Sequence, residues 1–388
     1  MNRRLSVVVM LIIAGAPALA QTKDAQRQVD SSLAPANQHG FRTATRTIEL
    51  TADIYTLRAP LRIQNAWGLT IRGSGPQTVL EADFVAPNGA AVELVGSNYC
   101  QLEGLTIRPA AGRSVGFGLL VARKPAAAPP SAGNHFFSRV FIEGSYRHAC
   151  AANIASECNL WQHCYFMQTG PGAALLITNG GLPEIGVPHG VSTMLEASWQ
   201  DCLFSSSAES ARQPLVRIVK NDVGIVGDLN FRGGGMSCAA PLPVAVLLEA
   251  LGKPGQVQDI HFDGMRWETE PALHAIGAVA LTGTDERKAA EPTAGGAEPG
   301  PRGRPFPHAF TRISIRDCTI TSSQEAIFAP GQILADWVAS NLNLYVANKT
   351  EFYKRPRRAA VVAQDVIGDT FRLPTGKAAH LFTDFRQP

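Results

Sequence analysis

Residues 98–108 read Asn-Tyr-Cys-Gln-Leu-Glu-Gly-Leu-Thr-Ile-Arg. A polar start leads into Leu102, then Leu105 and Ile107. The last two lie two positions apart, so their side chains share one face of a short strand. The same grammar returns along the chain. It reads Gly68-Leu69-Thr70-Ile71-Arg72, Arg139-Val140-Phe141-Ile142-Glu143, His163-Cys164-Tyr165-Phe166-Met167 and Asp201-Cys202-Leu203-Phe204-Ser205. Later copies are Asp228-Leu229-Asn230-Phe231-Arg232, Gly264-Met265-Arg266-Trp267-Glu268 and Asp317-Cys318-Thr319-Ile320-Thr321.

From Leu69 to Leu105 is 36 residues, and steps of 35, 24, 38, 27, 36 and 53 lead on to Val140, Cys164, Cys202, Leu229, Met265 and Cys318. A looser copy at Leu342 lies 24 residues further. The shortest step sets a bare unit of about 24 residues, and the longer steps are that unit plus loops. A second family of strands falls between the copies, including Val92-Glu93-Leu94, Leu119-Leu120-Val121, Leu175-Leu176-Ile177, Val216-Arg217-Ile218 and Val246-Leu247-Leu248. Two or three strands per unit with no helix between them exclude a βαβ sheet. They suit a solenoid, in which one turn cannot bury its apolar face alone and the stack can. The expected interior ladder runs Ile107, Ile142, Phe166, Phe204, Phe231. A propeller or sandwich is the alternative, against which the uneven, loop-extended spacing argues.

The stretches Leu61-Arg62-Ile63, Gly68-Leu69-Thr70-Ile71-Arg72-Gly73 and Thr78-Val79-Leu80 resemble the opening turns of the pectate-lyase-like superfamily, and Ile315-Arg316-Asp317-Cys318-Thr319-Ile320 resembles its later turns. The resemblance covers residues 45 to 350. It implies an all-β chain, a single-stranded right-handed parallel β-helix with loop insertions. It is specific for fold and weak for function.

Residues 1–20 read as a bacterial-type secretory signal: Arg3 and Arg4, an apolar run from Leu5 to Ala14, then Ala18-Leu19-Ala20 as a cleavage site. The run is too short to stay in a bilayer, so a secreted, periplasmic or cell-surface protein is expected, with no transmembrane segment after cleavage. Residues 21–45 serve as a cap or leader over the open edge of the first turn. Residues 46–350 form the solenoid, interrupted by a flexible insertion at 284–308, where Pro, Gly, Ala and charges dominate. Residues 351–388 return to β-like runs that close it. Net charge is only +3, which with an export signal speaks against nucleic acid as a partner. The expected partner is a polysaccharide or cell-envelope glycan.

Seven cysteines leave at least one without an intrachain partner. Cys164, Cys202 and Cys318 take the same inward position, so a Cys164–Cys202 disulfide and a ladder of free buried thiols both fit. No Cys-x-x-Cys or His-x-x-x-His is present; no metal site is assigned, and calcium has no motif to support it.

The residue before each motif strand gives a column in which Arg139, His163, Asp201 and Asp228 are expected on consecutive turns, with Tyr165 two residues beyond His163. A neighbouring outward column is expected to hold Arg108, Glu143, Met167, Ser205, Arg232 and Glu268. Two mechanisms suit such a strip. A glycosidase needs two carboxyls about 5–9.5 Å apart, which Asp201 and Asp228 would supply. A lyase needs a base and a cation facing the substrate carboxylate, with His163 or Tyr165 as base and Arg139 or Arg232 as cation. His189, on a Gly/Pro-rich loop, is a further substrate-binding candidate, and Arg232 with Glu268 most simply forms a cross-turn ion pair. The bland reading of the aspartates is turn chemistry, since Asp caps nearby backbone N–H groups. The sequence lacks the Gly-His-Gly and paired aspartates of polygalacturonases, the Asp-Pro-His of mannuronan epimerases and the Arg-x-Pro-x-x-Arg of pectate lyases, so no family catalytic set carries over. Three readings stand: a polysaccharide lyase or hydrolase, a non-catalytic solenoid binding a glycan or protein, and a trimer of the phage-tailspike kind, against which the cleavable leader argues.

Overall fold

A strand with apolar residues two apart needs a partner face, and here the partner is the same chain one turn later. The computed structural model describes residues 24–124, 132–187, 193–207, 213–239, 242–251, 255–268, 272–281, 310–322, 338–340, 342–346, 357–359, 370–372 and 378–380. The leader, His189 and the insertion at 284–308 lie outside the described residues.

Each full turn contributes to three parallel sheets. The first runs through Ile48–Leu50, Thr70–Gly73, the first half of Gln101–Pro109 and of Phe136–Gly144, then Asn159–Gln162, Met194–Gln200, Gly224–Arg232, Gly255–Asp263, Phe310–Arg316 and Val338–Ser340. The second holds Ile54–Leu57, Val79–Ala82, the second halves of the same two long strands, then Tyr165–Gln168, Leu203–Ser206, Gly235–Cys238, Arg266–Glu268, Thr319–Ser322 and Leu342–Val346. The third is eight-stranded, from Leu61–Gln64 to Ala272–Leu281, with its strands in chain order. Ordered parallel pairing of this kind, turn upon turn, is a right-handed parallel β-helix, the hand that nearly all parallel crossovers take. At the far end Arg357–Ala359 pairs antiparallel with Leu342–Val346.

At the near end Asp24 caps the helix Ala25–Ser31 by accepting from the Arg27 N–H. Ala25 and Val29 are buried in the core. The Gln26 side chain accepts from the Arg62 N–H at 2.8 Å and donates to the Arg62 C=O at 3.2 Å. It thereby completes backbone bonds on the outermost strand of the third sheet.

Two corners per turn have the same local form. Between the third and first sheets the corner residues are Gly68, Tyr99, Asn134, Cys158, Glu196, Asp228, Asp259 and Arg312; between the first and second they are Gly104, Arg139, His163, Asp201, Gly233, Gly264 and Asp317, and every one has positive φ. A left-handed residue turns the chain sharply while the strands on either side keep their partners. The two corners lie five residues apart in seven successive turns, from Tyr99 and Gly104 to Arg312 and Asp317.

This corrects the expected alignment. Gly68 and Asp228 belong to the first corner and the other motif copies to the second. Asp201 therefore faces Gly233 on the next turn, not Asp228, and its backbone N–H bonds the Arg232 C=O at 2.8 Å. The interior ladder likewise splits in two. Ile107, Ile142, Phe166 and Phe204 continue to Met236 and Trp267. Phe231 belongs to the ladder Leu102, Phe137, Trp161, Trp199, Phe231, Phe262, Ile315. The outward column from Glu143 runs through Met167, Ser205 and Ser237 to Glu268. Arg232 is outside it, opposite Gln200 and Asp263, and Glu268 pairs with Arg266 instead.

None of the seven cysteines is in a disulfide, so the Cys164–Cys202 bridge that the sequence allows is not formed. The Gly/Pro-rich loop, as far as Val187, lies against the outer face of the third sheet, where Leu182, Ile185 and Val187 pack with Phe117, Ile154 and Leu176.

The second corner sets a measurable constraint. Gly234 has φ +66°, and a Cβ there would meet the Cys202 carbonyl oxygen at 2.1 Å. Gly68 has φ +74° and nothing within 4 Å of a Cβ. Gly234→Ala is expected to lower stability by more than about 2 kcal/mol and Gly68→Ala by only about 1 kcal/mol, the left-handed backbone cost. Urea midpoints of the two variants compare them directly.

A buried histidine sets the acid limit. His135 accepts from the Cys100 N–H through Nδ1 at 3.2 Å, and its backbone N–H donates to Asn159 Oδ1 at 3.0 Å. Burial pushes its pKa down from 6.5 to about 3. Between those values the unfolded chain binds a proton that the folded chain refuses, so stability falls as pH drops from 6.5 toward 3. The loss approaches about 4–5 kcal/mol at the low end. His135→Gln is expected to flatten that limb when urea midpoints are plotted against pH.

Candidate functional site

The first corner gathers the chemistry. Register places Cys158 opposite Glu196, Glu196 opposite Asp228, Asp228 opposite Asp259 and Asp259 opposite Arg312. Neighbours in such a column are about 4.8 Å apart at the backbone. The left-handed conformation is tolerated by Asp and Asn better than by most residues.

The three carboxyls are not equivalent. Arg312 clamps Asp259 with two bonds of 2.5 Å, from Nε to Oδ1 and from Nη2 to Oδ2, and Gln258 Nε2 donates to Oδ2 at 3.0 Å. A forked guanidinium pair of this kind holds the Asp259 side chain in place. Asp228 lies beside it, half-buried. Burial raises the Asp228 pKa, and the Asp259 and Glu196 charges raise it further, with Arg312 opposing. Glu196 is exposed and accepts from Cys158 Sγ at 3.0 Å. Its charge also contributes, after burial, to a Cys158 thiol pushed up to about 12. Asp228 is thus the carboxyl of raised pKa, set between two others, one of them locked by Arg312.

The rest of the sheet's outer face continues the strip. One column runs Ser198, Asn230, His261, Ser314 and the next Gln200, Arg232, Asp263, Arg316. His261 Nδ1 lies 2.7 Å from Ser314 Oγ. Burial lowers the His261 pKa, with Arg316 and Arg232 acting the same way and Asp259 and Asp228 against it.

The sequence-derived candidates divide accordingly. Asp228 and Arg232 belong to this face. Arg139, His163 and Asp201 share the second corner, on the opposite edge of the sheet. Five residues of strand separate the two edges, about 16 Å, so Asp201 and Asp228 cannot flank one glycosidic bond together. His163 Nδ1 and Asp201 Oδ2 are 4.0 Å apart with about three-fifths of each side chain exposed. Glycines (Gly104, Gly233 and Gly264) take the same corner in other turns, which fits a backbone role. Tyr165 is on the second sheet, against Phe141 with ring centroids 6.4 Å apart. Burial raises its pKa.

Glu196, Asp259, His261 and Arg312 went unread in the sequence. The signal for them is the five-residue offset: Glu196 and Asp201, Asp228 and Gly233, Asp259 and Gly264, Arg312 and Asp317 repeat together with equal steps. Aligning on both corners rather than one exposes the column.

The fold and this face define a right-handed parallel β-helix bearing a carboxyl-rich strip on one sheet. No protein-family model matches the chain, and no curated protein matches it. Among solved structures it is similar to endo-xylogalacturonan hydrolase from Aspergillus tubingensis, with 11% identity, 83% of this chain and 84% of that chain covered, and a TM-score of 0.40. That similarity is one of coarse outline. The fold rests on the strand register itself, and the chemistry on the residues above. Among the described residues no helix is long and apolar enough to cross a membrane.

Proposed function

We propose that the protein binds an extracellular or cell-envelope polysaccharide along the outer face of the first sheet and hydrolyses it. The observation that carries this reading is the ladder of Glu196, Asp228 and Asp259, in which Asp228 has a raised pKa while Arg312 locks its neighbour. Asp228 is the proton donor to the leaving oxygen. Glu196, the exposed carboxyl, is the second catalytic group. Asp259 and Arg312 position Asp228, the Asp259 charge raising its pKa and Arg312 opposing. Glycoside cleavage needs such an unequal pair. The leader-like residues 1–20 support an exported location.

A lyase on the same face is the second reading, favoured by His261, a half-buried imidazole whose pKa is lowered, beside Arg232 and Arg316. A neutral imidazole is a base near pH 7, and either guanidinium neutralises a uronate carboxylate.

Incubation with a panel of neutral and acidic polysaccharides separates these, run with calcium and again with chelator. New reducing ends without ultraviolet absorbance support hydrolysis, and absorbance from an unsaturated product moves the assignment to His261. Retention on a polysaccharide with neither signal makes the protein a binding solenoid.

A further inference from the structure

The same corner column ends, at its near end, in aromatic rings. Trp67 is 40% exposed and Tyr99 47% exposed, both far more than the interior aromatics. Their ring centroids are 4.8 Å apart at a tilt of 52°, and Phe41 backs Trp67 edge-on at 5.1 Å. Tyr99 holds a left-handed conformation with φ 55°, unusual for a bulky side chain. A ring there is displayed on the solvent side of a corner, fixed by its neighbour rather than by the core. From Tyr99 the column passes Asn134 and Cys158 to Glu196 and Asp228, an unbroken edge about 19 Å long at one turn per step.

We propose that Trp67 and Tyr99 form a stacking platform for pyranose rings, and that a polysaccharide chain runs along this edge, parallel to the helix axis, from the platform to the carboxyls. The axial C–H groups of a sugar ring present an apolar face that packs on an aromatic plane, while its hydroxyls stay in water. The platform carries no cation, so it selects ring face rather than charge and suits a neutral stretch of the polymer. Its ligand class rests on the polysaccharide reading above, but the binding it predicts does not require turnover.

The test uses the full chain with soluble xylan, galactan and polygalacturonate as probes. Trp161, Trp199 and Trp267 are fully buried and Trp337 lies outside the described residues, so the Trp67 signal is read as the part of the iodide quenching that is lost in Trp67→Phe. At least one neutral polymer is expected to shield Trp67 from iodide. Trp67→Ala and Tyr99→Ala are expected to weaken that binding about tenfold each in affinity electrophoresis, with Trp67→Phe near wild type. Asp228→Asn is expected to keep the shielding. If no polymer shields Trp67, or if both alanine variants bind like wild type while retaining the native circular dichroism, the platform is wrong. Product formation that ignores Trp67 and Tyr99 overturns the platform and leaves the hydrolase reading standing; shielding without product does the reverse.

Discussion

Asp228→Asn is expected to lower polysaccharide cleavage by about 10²–10⁴-fold, the usual contribution of a general acid, while polymer binding persists. The asparagine keeps the size of the side chain and tolerates the left-handed corner, so the loss reports the proton. Wild-type activity is expected to fall as pH rises past the folded pKa of Asp228, because the donor is then ionised. The stability contribution of this proton changes in the same direction. The folded pKa is raised above the unfolded one, so the folded chain binds this proton more tightly and gains from it at low pH. That gain is lost as pH rises through the interval between the two values. Above that interval the ionised carboxyl is a net cost, and there Asp228→Asn is expected to unfold at an equal or higher urea concentration than wild type. An inactive variant that is no less stable distinguishes a catalytic carboxyl from a turn cap, whose removal destabilises. If Asp228→Asn cleaves normally and His261→Gln does not, the donor assignment fails and the lyase reading takes its place.

Phe231→Ala is expected to be the most damaging single truncation in the core, costing about 3–5 kcal/mol. Its ring is fully buried, stacks on Trp199 at 4.7 Å and on Phe262 at 4.9 Å, and meets Phe204 edge-on at 6.0 Å. It therefore joins three turns and both interior ladders, and no neighbour can collapse into the space without breaking a stack. Leu203→Ala, at an exposed position on the second sheet, is expected within about 0.5 kcal/mol of wild type. Urea unfolding followed by fluorescence and by circular dichroism compares them. Divergence of the two probes in Phe231→Ala alone would show the stack dividing at that turn, as a one-dimensional array does when a nearest-neighbour contact is lost.

The repeat, the absence of helices between strands and the inward pattern were legible in the chain, because a parallel stack forces apolar residues to recur two apart in every turn. Asp228 and Arg232 were legible as outward polar residues for the same reason. Their neighbours were not. The two corners of a turn share one grammar, a left-handed residue followed by inward apolar positions, and Asp228-Leu229-Asn230-Phe231 matches Asp201-Cys202-Leu203-Phe204 in the aspartate and in both inward positions. Local sequence cannot say which corner a copy occupies. Register can, since each strand bonds only the strand one turn away. Sequence by itself determined that this chain winds into a solenoid and that its outward side chains form columns. Only the tertiary structure decided which residues share a column, because loops of unequal length separate the turns and the pairing of backbone groups, not distance along the chain, brings Glu196, Asp228, Asp259 and Arg312 onto one edge.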